Sequence, residues 1–183
     1  MTLIPYLLIT AADGTLMSSD GPQPYTIPFD TTPLPDRPSV SSAPTPFFAV
    51  EDYHCATAEQ LSAGGSPDAP PTFTPLSVRR GVDRGTTTFF RDLCAGARLK
   101  FVDLVLLHDG PGEIEHNELQ TAIGLDIVLV SKLAWAGDVS SDDGLAEVTA
   151  FDYQRIWVAY TVLDQHGGNT GYTVRGWDRA PGP

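Results

Sequence analysis

A chain of 183 residues that is 42% hydrophobic and 19% charged can bury one substantial core, so the composition reads as a single globular domain spanning residues 1–183. Asp and Glu number 23 against 11 Lys and Arg, and the resulting net charge of −12 argues against a nucleic-acid or anionic-membrane partner. No apolar run approaches the roughly 20 residues that a membrane-crossing helix needs.

The first expected element is a strand at Leu3-Ile-Pro-Tyr-Leu-Leu-Ile9, which lacks the basic lead of a signal peptide and runs into Asp13-Gly14. Residues 20–46 carry Pro22, Pro24, Pro28, Pro33, Pro35, Pro38, Pro44 and Pro46 among Ser and Thr. That density excludes helices and central strands, so this stretch reads as an extended arm or long loop. A short strand is expected from Phe47 to Ala56, and residues 62–72 form a Gly/Pro-rich loop.

Phe73 to Arg80 reads as a strand, and Asp83 to Gly96 as the one substantial helix. Thr86 or Thr87 can accept a hydrogen bond from a free helix N–H, Phe89 and Leu93 lie four apart on one face, and Gly96 suits a left-handed stop. Cys94 is placed on the apolar side of this helix. With Cys55 it makes only two cysteines, in no metal-ligand spacing, read as isolated or buried thiols.

Val102, Leu104 and Leu106 alternate in a strand from Leu99 to His108, followed by a polar turn. In the next strand Leu119, Ile123, Leu125, Ile127, Leu129, Leu133 and Trp135 share the odd positions, while Gln120, Asp126 and Lys132 take the other face. An acidic hairpin loop, Gly137 to Gly144, leads into Thr149 to Tyr160, whose apolar pattern changes phase. Phe151 and Tyr153 are odd, Ile156, Val158, Tyr160 and Val162 are even, and Gln154-Arg155 marks the change. Strand side chains alternate with period two, so the shift implies a bulge or corner that lets one strand serve two packing surfaces. Gly167-Gly168 turns into a last strand at Thr170 to Trp177. Strands joined by Gly-rich turns around one helix predict a mainly β fold, an antiparallel barrel or sandwich.

The residues then carry a resemblance. Pro75-Leu-Ser-Val-Arg-Arg-Gly81 with Asp83-Arg-Gly-Thr-Thr-Thr-Phe-Phe90, Leu125-Asp-Ile-Val-Leu-Val-Ser131, Phe151-Asp-Tyr-Gln-Arg-Ile156 with Tyr160, and Gly176-Trp-Asp178 follow one another in the order and approximate spacing of the haemolysin-coregulated protein (Hcp) family. The chain resembles that family over about residues 73–178. The resemblance implies a small antiparallel β-barrel with one short helix. It also implies a structural subunit of the inner tube of a type VI secretion system, with homo-hexameric rings stacked into a tube that a contracting sheath expels. Implied partners are the chain itself, sheath, baseplate or spike proteins, and small effectors carried inside. The implied location is the cytoplasm, then secretion without a signal peptide. Gly81 stands where a proline is usual, Trp157-Val158 replaces an acidic-aromatic pair, and the Pro-rich arm is longer than the usual loop.

No reaction chemistry competes with this reading. His108-Asp-Gly-Pro-Gly-Glu-Ile-Glu-His116 has the composition of a metal site but no established ligand spacing. Asp138, Asp142 and Asp143 lack the alternation and closing Glu of a calcium loop and read as a charged hairpin tip. GxSxG, HExxH and P-loop motifs are absent from the sequence. We therefore expect no catalytic residues, cofactor or metal. Arg79, Arg80, Arg84 and Arg91, clustered about the helix, are expected to meet Asp138, Asp142 or Asp143 on an adjacent ring or subunit. Trp157 is a further candidate contact. The alternatives are a tail-tube protein of a phage-tail-like particle and a monomeric ligand-binding β-sandwich using Trp135, Trp157 and Trp177.

Overall fold

The computed structural model describes residues 3–17, 33–37, 47–58, 71–108, 119–137, 145–166 and 169–179. In chain order these form β1 (Leu3–Ala11), β2 (Phe48–Ala49), β3 (Asp52–His54), β4 (Thr57–Ala58), β5 (Thr72–Phe73), β6 (Leu76–Gly81), α1 (Arg84–Ala95), β7 (Arg98–His108), β8 (Leu119–Gly137), β9 (Leu145–Leu163) and β10 (Asn169–Asp178). The main sheet has the order β2-β1-β7-β8-β9-β6-β3 with β10 also on β9, and every pairing is antiparallel. Residues 48–54 pair with β1 at their start and with β6 at their end, so one short segment bridges the two ends of the sheet. The expected strand from Phe47 to Ala56 is split by a bend for this reason, and the sheet is curled into a half-barrel.

Helix α1 begins with a capping box. The Asp83 carboxylate accepts from the Gly85 N–H (2.7 Å), and the Thr86 hydroxyl accepts from the Asp83 N–H (3.2 Å). The cap is therefore Asp83, with Thr86 completing it three residues on. Gly96 stops the helix at φ 61, a conformation that costs glycine no side-chain clash. Phe89 is buried with its ring 5.6 Å from Phe48 and 5.9 Å from Phe151, which plugs the half-barrel. Cys94 is exposed, contrary to expectation: Gly85, Thr86, Phe89 and Asp92 take the buried helix face.

The predicted corner in β9 is real, and it crosses three strands. Val102, Leu125 and Ile156 lie in one row and Leu99, Val128 and Tyr153 in another, all in the first apolar core. Strict alternation over three positions would put those two rows on opposite faces. Between them lies the row Lys100, Ile127 and Gln154, where Ile127 has φ 54, a left-handed conformation that β-branched residues rarely adopt. The sheet folds at this row. Consequently the single odd face expected for β8 does not exist: Ile127 and Leu129 are exposed while Val128 and Val130 are buried.

The sheet's other face carries a second apolar cluster of Tyr6, Leu8, Val105, Leu107, Leu119, Ala122 and Ala159, with Trp157, Tyr172 and Val174 partly buried against it. Leu34 from the arm region and Phe47 just beyond it complete it. Leu34 is buried among these side chains, and Phe47 lies 5.8 Å from the Tyr6 ring.

Candidate assembly surfaces

The arginines expected at the helix have different fates. Arg79 on β6 is half-exposed and pairs with Glu51 across the β3 edge at 3.1 Å. Arg84 opens α1 on an exposed turn, and Arg91 is exposed beside Asp92 at 2.8 Å. Arg80 is a correction. It is among the largest fully buried side chains, pairing with Glu147 at 2.5 Å and with Asp83 at 2.8 Å, and its guanidinium lies within 5 Å of the Phe48 and Phe89 rings. It tethers the helix cap to β9 inside the subunit and is not available to a neighbour. Asp138, Asp142 and Asp143 lie outside the described residues.

Trp157 is half-buried on the face of the second cluster. Its Nε1–H donates to Asp126 at 2.9 Å, and its ring covers Gly176, where a Cβ would fall 2.2 Å from Cε3. Trp135 and Trp177 are half-exposed, Trp135 with its ring 6.1 Å from Phe90 of the helix. Val82 and Leu145, far apart in sequence, are both exposed and joined by a backbone hydrogen bond, Val82 N–H to Leu145 carbonyl, at 3.2 Å.

Beyond Ile156 no described residue covers the core side of the β9–β10 hairpin. Val158, Tyr160, Val162 and Trp177 are each at least 39% exposed along one side, interleaved with Thr173 and Arg175. Large apolar side chains standing exposed in a row on a sheet face are the mark of an interaction surface. Among the described residues β10 pairs with β9 alone, so its other edge offers backbone groups that no described strand takes up beside this band.

A second feature escaped sequence reasoning. The strap Pro33-Leu-Pro-Asp-Arg37 sits on the outer side of β7 and β8 next to the fold row. Arg37 donates to both Asp103 oxygens (2.7–3.0 Å) and to Asp126 at 2.8 Å, and stacks over Phe101 at 4.1 Å. Its side chain is 3% exposed. Burial pushes the Asp103 carboxyl up to about 6, because desolvation of this wholly enclosed group outweighs the guanidinium that it shares with Asp126. The available signal was that Arg37 is the only Lys or Arg before Arg79, while Asp103 and Asp126 interrupt apolar strands.

Among the described residues no group of three or more His, Cys, Asp and Glu is placed to hold a metal. His108 ends β7 with a buried Nδ1 that has no hydrogen-bond partner among the described residues, and the turn from Asp109 to His116 lies outside them. Both cysteines are free; burial pushes the Cys55 thiol up, and its Sγ is 3.9 Å from the Tyr153 hydroxyl. Among the described residues no helix is long and apolar enough to cross a membrane.

Residues 50–160 match the family model described as "Type VI secretion system effector, Hcp". No curated protein matches the sequence. Among solved structures the chain is similar to Hcp1 from E. coli (12% identity, 96% of this chain and 98% of that one, TM-score 0.67). It is also similar to Hcp1 from Salmonella typhimurium (14% identity, 97% and 95%, TM-score 0.63). A third is a type VI secretion system effector from Yersinia pestis (11% identity, 95% and 98%, TM-score 0.64). At these identities the structures speak for the fold, and the family model speaks for the family.

Proposed function

Because the chain belongs to the Hcp family of the type VI secretion system, whose members are secreted structural tube proteins, we propose that it forms homo-hexameric rings that stack into the system's inner tube. The observation that carries the reading is the exposed band of Val158, Tyr160, Val162 and Trp177 beside the edge of β10 that no described strand pairs with. A ring subunit must present such a surface to a neighbour, and a sheet edge next to it allows strand addition across the junction. Arg79, Arg84 and Arg91 remain exposed for charged contacts between rings, with Asp138, Asp142 and Asp143 as the matching carboxylates. Effectors inside the ring, and sheath, baseplate and spike outside it, are the partners that this role entails. The chain acts by assembly, without a catalytic step, and is made in the cytoplasm before export.

Light scattering on the purified protein tests this. Six subunits of 19.6 kDa give about 118 kDa, seen as annular particles by negative stain. The variant Val158→Asp with Tyr160→Asp is expected to stay folded by circular dichroism and to run as a monomer. A wild-type protein that stays strictly monomeric over a wide concentration range, or a doubly substituted variant that still forms rings, would refute the reading.

A further inference from the structure

Where the sheet folds, its outer surface is hollowed. Two open cavities, of about 590 and about 200 Å³, are both lined by Arg98 and Ile127 and meet there in one groove that runs from β7 to β9. Strand register sets the floor in columns. Arg98 on β7 lies opposite Leu129 on β8, and Lys100 shares the fold row with Ile127. Two exposed cations thus stand beside two exposed apolar side chains, the columns one strand spacing of about 5 Å apart. Arg37, Arg79, Arg80, Arg91, Arg155 and Arg179 each pair with a carboxylate. Arg98 and Lys100 have no carboxylate partner among the described residues, although acidic side chains number 23 against 11 basic ones. The carboxylates that line the groove are engaged elsewhere: Asp126 with Arg37, Asp152 with Arg179, and Asp36 with the charge of Arg155. Ile127 is an independent observation. It is exposed, yet it holds φ 54, a conformation that glycine or asparagine adopts at less cost. An exposed side chain gives the subunit no core packing in return, and strain kept in such a place is a pointer to function.

We propose that this groove docks an extended acidic segment of a partner protein. An Asp or Glu of the segment is held by Arg98 and Lys100, and an apolar side chain two positions along lies on Ile127 and Leu129. The guanidinium fork of Arg98 suits a carboxylate, and the Lys100 ammonium, 5.2 Å from the Phe101 ring, is steadied beside the larger cavity. Alternate side chains of an extended segment share one face about 7 Å apart, which brings both columns within reach of a single segment. The groove crosses three strands, roughly 10 Å, which is room for three or four extended residues. An open floor of this kind does not enclose a small ligand, so its occupant is a segment carried by a larger body. The groove lies on the outer side of the sheet, whereas the exposed band from Val158 to Val162 lies on the core side. The partner is therefore distinct from the neighbour met at that band, and the inference does not depend on the ring reading.

Subtractive panning tests the proposal. A random heptapeptide display library is depleted on the full chain carrying Arg98→Gln with Lys100→Gln and then selected on the parent. The enriched sequences are expected to carry Asp or Glu two positions from an apolar residue. A fluorescein-labelled copy of the most enriched peptide, followed by anisotropy, should bind Arg98→Gln about tenfold more weakly than the parent and weaken with added salt. Binding to Lys132→Gln, which alters an exposed lysine outside the groove, should match the parent. Ile127→Asn separates docking from folding: it relieves the left-handed strain, so the melting temperature should hold or rise while affinity falls about fivefold. Enrichment without acidic residues, or equal affinity for parent and Arg98→Gln, overturns the proposal. Displacement of the peptide by free glutarate at an equal concentration also overturns it, since that marks a site for small dicarboxylates. Light scattering reports the ring separately. If Arg98→Gln abolishes rings that the parent forms, the groove is a junction between copies and the partner docking falls; an unchanged assembly state with lost peptide binding supports it.

Discussion

Replacing Arg37 with Ala perturbs the least replaceable contact on the sheet's outer face. The guanidinium is the main counter-charge for Asp103, which is 0% exposed, and it also engages Asp126 at 2.8 Å. Deleting one partner of a buried pair costs about 3–5 kcal/mol, and the lost stacking on Phe101 adds ~1 kcal/mol. One relaxation offsets part of this. Without Arg37 the enclosed Asp103 carboxyl, already up to about 6, rises further and takes a proton, at ~1.4 kcal/mol for each unit between its titration point and the ambient pH. The expected loss is therefore ~2–4 kcal/mol at pH 7.5. It shrinks at pH 5, where Asp103 is largely protonated in the parent and Arg37 answers only to Asp126. Urea unfolding at a fixed subunit concentration, followed by circular dichroism at the two pH values, measures both. A loss under ~1 kcal/mol at pH 7.5, the worth of an exposed pair, or a loss equal at both pH values, would show that the strap is not a buried ionic anchor.

Three further outcomes are expected. Removing a buried carboxylate, in Glu147→Ala, leaves Arg80 with the Asp83 carboxylate and the Thr86 hydroxyl and costs about 3–5 kcal/mol by thermal unfolding, while Arg80→Met with Glu147→Leu regains most of it; equal losses in the single and double variants would count against this. The substitution Gly176→Ala drives the Trp157 ring off β10 and breaks its bond to Asp126, so stability falls by ~1–3 kcal/mol with a change in tryptophan emission, and an unaltered spectrum would contradict the stacking. Asp103 also makes stability pH-dependent. Its folded titration point of about 6 lies above the ordinary 3.8, so between those values the folded state keeps a proton that the unfolded chain has lost. Its contribution then declines as pH rises through that window, by up to ~3 kcal/mol, and is flat above it. Comparison of Asp103→Asn with the parent from pH 4 to 7 should isolate this slope, and parallel curves would disprove it.

Local pattern and composition determined the elements. The capping residues and Gly96 placed the helix, because caps act within four residues of the chain they serve. Gln154-Arg155 marked the fold in β9, since two polar residues there broke an otherwise regular alternation. The same fold in β8 was invisible because Ile127, Val128, Leu129 and Val130 are all apolar, and a run without polar residues carries no phase. Tertiary structure alone decided that Arg80 is buried, because its partner Glu147 lies 67 positions away and only the pairing of β6 with β9 brings them together. It alone decided that Val158, Tyr160 and Val162 are bare, since exposure depends on where the first core ends and strand alternation does not encode that. The strap stood even further out of reach. A proline-rich stretch has no periodicity with which to announce a face, and Arg37 is held by charges 66 and 89 positions downstream that the curling of the sheet first encloses. Short-range chemistry is written in neighbouring residues, whereas burial of a charge is a property of the assembled surroundings.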